Sequence, residues 1–319
     1  MKSRRLGATG LEISLVGFGG WAIGGNRNTT GGLGAADDGE ALAAIRRALD
    51  LGVNWIDTAP GYGAGHSEEL VGQAIRGMHK PPLVFTKCGF TWDERLAMRN
   101  QIDPESIRRE VEASLRRLGT EALDLYQIHW VEPELDSEIE AAWTTLAELR
   151  REGKIRHIGV SNFTVRQLSR AQSIAPVETL QPPYSLLERS FEGDLATYCR
   201  ALGLGVVVYS PMQTGLLTGR MTRERVAEFA TDDARLTDPQ FLEPQLSVNL
   251  DRVDRLSRLA SKWGWSAAQA AIAWTLRDPV VAGAIAGFRN PGQVDDLLGR
   301  GISPLSPEQL AQLEAIGWH

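Results

Sequence analysis

The chain has 319 residues, 43% of them hydrophobic and 23% charged, ordinary values for a globular protein with a sizeable core. Its formal net charge of -6 leaves no basic surplus to displace counterions from a phosphate backbone, which argues against a nucleic-acid binder. Two cysteines do not make a disulfide framework, and no apolar run approaches the roughly 18 residues of a membrane span.

The basic start, MKSRRLGATG, is followed by no apolar stretch and does not read as a secretory signal, so the expected compartment is the cytoplasm. Residues 4–13, with Thr9-Gly10 at their middle, read as a small hairpin placed to plug a barrel floor. Strand-like runs then follow at 14–19, 53–58, 83–87, 123–129, 155–161, 177–181, 206–210 and 281–286, with helical segments between them. Asp103 caps one such helix with Pro104 at its first position. Ile107, Val111, Leu115 and Leu118 form its apolar stripe, and Gly119 ends it. Ser266 with Gln269 and Ser306 with Gln309 make capping boxes, and Asn290-Pro291 opens a helix that Gly299 closes. Residues 212–249, after the seventh strand, form a connection long enough to suggest a functional loop.

Strands alternating with helices imply parallel pairing through right-handed crossovers. Eight such units without a linker read as one α/β domain, 1–319: a (β/α)8 TIM barrel with an N-terminal β-hairpin and extra-barrel helices. The competing doubly wound dinucleotide fold would show G-x-G-x-x-G after its first strand. Here Gly17 and Gly19 are followed by Ala22, and Gly61 and Gly63 by His66, so that device is missing.

A barrel of this kind carries its active site at the carboxyl ends of the strands. Those ends hold Asp57, Lys87, His129, Ser161, Asn162, Gln181, Tyr209 and Ser210, with Tyr62 in the loop after the second strand. Each alone has a bland reading: an interior ion pair, a core histidine, a rim aromatic, amides bonding loop backbone. Their common location makes the joint bland reading improbable. A tyrosine hydroxyl with an ordinary pKa of about 10 is a poor proton exchanger near neutrality. A neighbouring lysine ammonium is expected to lower that value, an aspartate to keep the lysine charged, and a histidine to orient a carbonyl oxygen. Tyr62, Lys87, Asp57 and His129 supply this set, and no metal-ligating set is read.

The stretch from Asp57 to Gly63, DTAPGYG, followed by SEELVG from Ser67, resembles the signature of the aldo-keto reductase superfamily. The stretches GKIR from Gly153, GVSNF from Gly159, YSP from Tyr209 and GFRNP from Gly287 agree in order. The resemblance implies an enzyme that reduces small carbonyl compounds with a nicotinamide cofactor lying extended across the barrel mouth. It makes Tyr62 the general acid, tuned by Lys87 and Asp57, with His129 orienting the substrate. It places Ser161, Asn162 and Gln181 at the nicotinamide carboxamide and Tyr209 against its ring. Trp21 and Asp57 also belong to the expected cofactor set, as do Ser210, Met212, Gly215, Leu216 and Arg220 toward the pyrophosphate. Gly287, Arg289, Gln293 and Asp296 complete it at the adenine end. Leu297 stands where the family often has asparagine. Arg289, suited to a 2′-phosphate, points to NADP(H), with NAD(H) as the alternative.

Trp21, Trp92 and Trp130, just beyond strand ends, are expected to wall the substrate pocket together with Tyr62 and His129. Such a wall suits aromatic or medium-chain aldehydes and sugars equally. The expected assembly is a monomer or weak homo-oligomer. Two competing functions stay open: a cofactor-binding regulatory barrel with little turnover, and a Schiff-base enzyme using Lys87.

Overall fold

A computed structural model describes residues 1–25 and 32–318. Two short strands, β1 (Ser3–Arg5) and β2 (Glu12–Ser14), pair antiparallel with Arg4 opposite Ile13. Eight parallel strands then close a barrel: β3 (Val16–Gly19), β4 (Trp55–Asp57), β5 (Leu83–Cys88), β8 (Leu123–Ile128), β9 (Ile155–Ser161), β10 (Thr179–Gln181), β11 (Gly205–Val208) and β12 (Val281–Gly287). Between β5 and β8 lies a second antiparallel hairpin, β6 (Phe90–Trp92) with β7 (Met98–Asn100). Every strand-like run read from the sequence is a barrel strand, and the 4–13 segment is the expected hairpin.

These strands are buried on both faces, so they read as near-continuous apolar runs. Alternate residues point opposite ways. Phe85, Leu125 and Val207 face the barrel axis with Trp55, while Cys88, Tyr126 and Ile128 pack outward against helices. The Trp55 indole needs two glycines around it: a Cβ on Gly17 would lie 2.3 Å from the ring and one on Gly283 2.8 Å from it. Leu6 and Ile13 of the hairpin are fully buried in this axial cluster and close the amino-terminal end. Burial of each contributes roughly 1.5–3 kcal/mol.

The helices are α1 (Asp38–Asp50), α2 (His66–Ile75), α3 (Pro104–Leu118), α4 (Ile139–Arg151), α5 (Val165–Gln172), α6 (Asp194–Leu202), α7 (Arg223–Ala227), α8 (Gln245–Lys262), α9 (Ala267–Thr275), α10 (Pro291–Leu298) and α11 (Pro307–Glu314). Among the described residues none is long and apolar enough to cross a membrane. The expected caps form: Asp103 accepts from Ser106 N, and Ser266 and Ser306 make reciprocal capping boxes with Gln269 and Gln309. The long connection after β11 folds into 3-10 turns and α7 around its own apolar cluster of Leu216, Met221, Phe241 and Leu246. It meets the β3–α1 connection where Ala234 N donates to Gly32 O at 3.0 Å.

Candidate active site

Strand register puts the site together. Gly19 pairs with Asp57, Asp57 with Phe85, and Lys87 with Gln127, so the carboxyl ends of neighbouring strands rise to one level. Asp57 and Lys87 both point inward, and Lys87 Nζ lies 2.7 Å from Asp57 Oδ1. The ammonium also donates to Thr58 O at 3.0 Å and to Tyr62 Oη at 3.4 Å. Asp57 Oδ2 accepts from Gln181 Nε2 at 2.8 Å. The pair is almost wholly enclosed, 0% and 3% exposed at the side chains, so each partner is tolerable only because the other is there.

Burial lowers the proton affinity of Lys87, opposed by Asp57, and raises that of Asp57, opposed by Lys87. Burial, then repulsion from Lys87, holds His129 well below its ordinary value, so its ring is neutral. The ring stands edge-on to Tyr62 and Phe90, with centroids 5.7 and 5.2 Å away. Tyr62 corrects an expectation. Burial, then the Asp57 carboxylate, pushes the phenol well above its ordinary value, where the sequence pointed to lowering by Lys87. The phenol therefore holds its proton at neutral pH. Lys87, hydrogen-bonded to the same oxygen, is placed to stabilise the phenolate once that proton has left.

Asn162 sits in the left-handed region at φ +60°, which turns its amide back into the site. Its Nδ2 donates to His129 O and Ser161 Oγ, each at 3.0 Å, and its Oδ1 accepts from Tyr209 Oη at 2.9 Å. Ser161 Oγ donates to Gln181 O at 2.8 Å. Asn162 is thus the brace between His129 and Tyr209, and Gln181 lines the cavity beside it.

A cavity of about 760 Å³ runs outward from Tyr62 and His129. Of the expected residues, Trp21, Asp57, Ser161, Asn162, Gln181, Tyr209, Ser210, Met212, Gly215, Arg220, Gly287, Arg289, Gln293 and Asp296 line it, together with Tyr62, His129 and Trp130. Two others do not. Trp92 belongs to the β6–β7 hairpin, which presents Phe90 and Met98 to the cavity, and lies against the Arg117 guanidinium at 5.7 Å. The Leu216 side chain turns inward to Met221, Phe241 and Leu246. At the rim, Arg220 pairs with Asp296 at 2.7 Å. Arg289 Nη2 donates to the carbonyls of Gly34 and Ala35, both at 2.8 Å.

The model of the aldo/keto reductase family matches residues 15–317. The chain belongs to the aldo/keto reductase family. It is 39% identical over 300 residues to the aldo-keto reductase YhdN of Bacillus subtilis, covering 93% of this chain and 88% of that protein. It is 35% identical over 305 residues to the NADH-specific methylglyoxal reductase of Escherichia coli, covering 92% and 91%. The solved glycerol dehydrogenase AKR11B4 of Gluconobacter oxydans superposes with a TM-score of 0.88 at 37% identity, covering 98% of this chain and 94% of that one. The chain is accordingly an oxidoreductase of carbonyl compounds that uses a nicotinamide cofactor.

The cavity fits such a cofactor on its own evidence. Thr214, strained at φ +47°, lines it with a buried hydroxyl that has no protein partner, and Arg225 and Arg235 add cations beside Arg220 and Arg289. Phe90, Met98, Arg225 and Arg235 were not expected there. Phe90 carried a signal, since it follows Gly89 directly beyond the β5 strand end; the others stand on connections whose path no local pattern sets.

Proposed function

We propose that the chain, as one barrel domain, reduces small uncharged aldehydes and ketones to alcohols with NADPH, and that Tyr62 is the proton donor. The observation that carries this reading is the hydrogen bond from Lys87 Nζ to a Tyr62 phenol that stands beside neutral His129 at the cavity's deep end. Reduced nicotinamide, when bound, supplies the hydride. His129, uncharged, donates one ring N–H to the carbonyl oxygen and fixes its direction. As that oxygen gains charge, the strongly held Tyr62 proton has an acceptor more basic than the phenol. Lys87 then steadies the phenolate in surroundings where water does not compete. Trp21, Phe90, Met98 and Trp130 make an apolar wall around the reacting end, which suits an aromatic or aliphatic aldehyde.

Gln181 and Ser161 would hold the carboxamide, with Tyr209 beside the nicotinamide ring. Thr214, Arg220 and Arg235 would face the phosphates, and Arg289 the 2′-phosphate. NAD(H) is the alternative, and Asp296 at the rim is the residue that would favour it. The Schiff-base reading is set aside because all three Lys87 protons are committed to Asp57, Thr58 and Tyr62, leaving no lone pair for a carbonyl carbon.

The test is a fluorescence titration with NADPH and NADH, followed by turnover on an aldehyde panel for the wild type and Tyr62→Phe. The expected result is tighter NADPH binding, oxidation of NADPH on adding aldehyde, and a loss of about 10²–10⁴ in turnover for Tyr62→Phe with nucleotide binding unchanged. Near-normal turnover by Tyr62→Phe overturns the donor assignment. Tight nucleotide binding without turnover on any carbonyl returns the regulatory reading.

A further inference from the structure

We propose that the barrel interior holds a buried water site between Gln127 and Thr179, beside the Asp57–Lys87 pair, and that its water keeps the Gln127 amide from competing for that pair. Gln127 and Thr179 are fully buried. Gln127 Nε2, Gln127 Oε1 and Thr179 Oγ1 have no hydrogen-bond partner in the protein. Leaving a buried polar atom unpaired is costly, so three such atoms close together call for an occupant.

Register places them close. Lys87 pairs with Gln127, Gln127 with Gly159, and Gly159 with Thr179, one level running across β5, β8, β9 and β10. All of these positions face the axis. Phe85 and Leu125, two residues below Lys87 and Gln127, lie in the axial apolar cluster, and Gln181, two above Thr179, reaches Asp57. Gly159 supplies the room. A Cβ there would fall 1.9 Å from Thr179 Oγ1, so the hydroxyl leans over β9 toward Gln127.

The chemistry of the walls selects water. The layer below is apolar: Trp55, Phe85, Leu125 and Val207. The neighbouring charged pair is already satisfied, with Asp57 bonded to Lys87 and Gln181. An amide that must both donate and accept, facing a hydroxyl that can do either, matches a neutral molecule making about three hydrogen bonds. A bare cation would need a free carboxylate, and the near one is engaged.

The consequence for Lys87 follows from adjacency. Neighbouring strands lie about 4.8 Å apart, so an unsatisfied Gln127 amide is within reach of the oxygens that Lys87 uses. The ammonium keeps its bonds to Asp57, Thr58 and Tyr62 while the amide makes none to those oxygens, and water on the amide holds it in that orientation. Gln127 and Thr179 are thus positioning residues, and only this kinetic consequence rests on the proposed function.

Two measurements test it. A high-resolution crystal structure of the wild type should show an ordered oxygen within hydrogen-bonding distance of the Gln127 amide and Thr179 Oγ1, and one of Thr179→Val should lack it. Thr179→Val should lower kcat about threefold to tenfold, the worth of one net hydrogen bond, with KM and nucleotide affinity unchanged. Thr179→Ser should retain both water and rate, and Gln127→Leu added to Thr179→Val should restore kcat by removing the competing amide. An empty site in the wild type overturns the proposal, as does Thr179→Val with wild-type kcat or a double variant no faster than the single one. If instead Tyr62→Phe stays active, the proposed function fails while the crystallographic result stands by itself.

Discussion

At the deep end of the cavity, Asp57, Lys87 and Gln181 stand on strands of the closed barrel and are almost wholly buried. At its rim, Arg220 stands on a connection and Asp296 on α10, paired at the same 2.7 Å but with side chains 62% and 56% exposed. The Asp57–Lys87 and Arg220–Asp296 pairs therefore have equal lengths and unequal consequences. In the barrel, low polarity makes each charge dependent on its partner; at the rim, water stands in for either partner at little cost. Chemistry that must hold a proton against its ordinary affinity belongs at the deep end, and recognition that must adapt to a ligand belongs at the rim.

The largest effect that could break this contrast is the removal of one cation from each pair. Lys87→Met leaves a buried carboxylate without a counter-charge and should cost roughly 3–5 kcal/mol of stability, besides removing the proposed support for the Tyr62 phenolate. Arg220→Met should cost no more than about 1 kcal/mol. Urea denaturation of both variants decides the matter: equal losses would mean that burial does not govern these pairs. The double variant Lys87→Met, Asp57→Asn should regain much of the stability lost in Lys87→Met but none of the turnover.

Arg289 stands between the two regimes, half-buried and bonded to the Ala22, Gly34 and Ala35 carbonyls. Exchanging those bonds for a charge-assisted contact with a 2′-phosphate is worth roughly 1.5–3 kcal/mol, so Arg289→Met should weaken NADPH binding about tenfold to a hundredfold and leave NADH nearly unchanged. Titration of both nucleotides sharpens the comparison. An equal loss for both would make Arg289 a brace for the β3–α1 connection instead of a reader of the 2′-phosphate.

The same contrast separates what could be read from the sequence from what could not. The barrel strands were legible because doubly buried parallel strands are apolar runs punctuated by glycine and proline, and strand register then carries Asp57, Lys87, His129 and Gln181 to one end. The rim was legible only by resemblance. Leu216 and Trp92 were misplaced because their directions depend on non-local contacts: a private apolar cluster around Phe241 for one, the Arg117 guanidinium for the other. The direction of the Tyr62 shift was missed for a different reason. A sequence shows that a lysine is near a tyrosine, but depth of burial, which dominates here, is a property of the closed barrel.

Glu110 offers the smallest test, and it probes the border between the two regions. It stands on α3, and its carboxyl accepts from Gly89 N at 3.0 Å and from Ser106 Oγ at 3.3 Å, fixing the point where β5 gives way to the β6–β7 hairpin. Burial raises its pKa from 4.5 to about 8. The folded state thus binds this proton more tightly than the unfolded chain does. Its contribution to stability is full below the unfolded value and is lost as pH rises toward about 8. Glu110→Gln keeps an acceptor for Gly89 and removes the titration. Relative to the wild type it should gain stability from pH 5 to pH 9, read from urea midpoints at the two pH values. A constant difference across that range would mean that water reaches Glu110, and that the hairpin root belongs with the solvated rim.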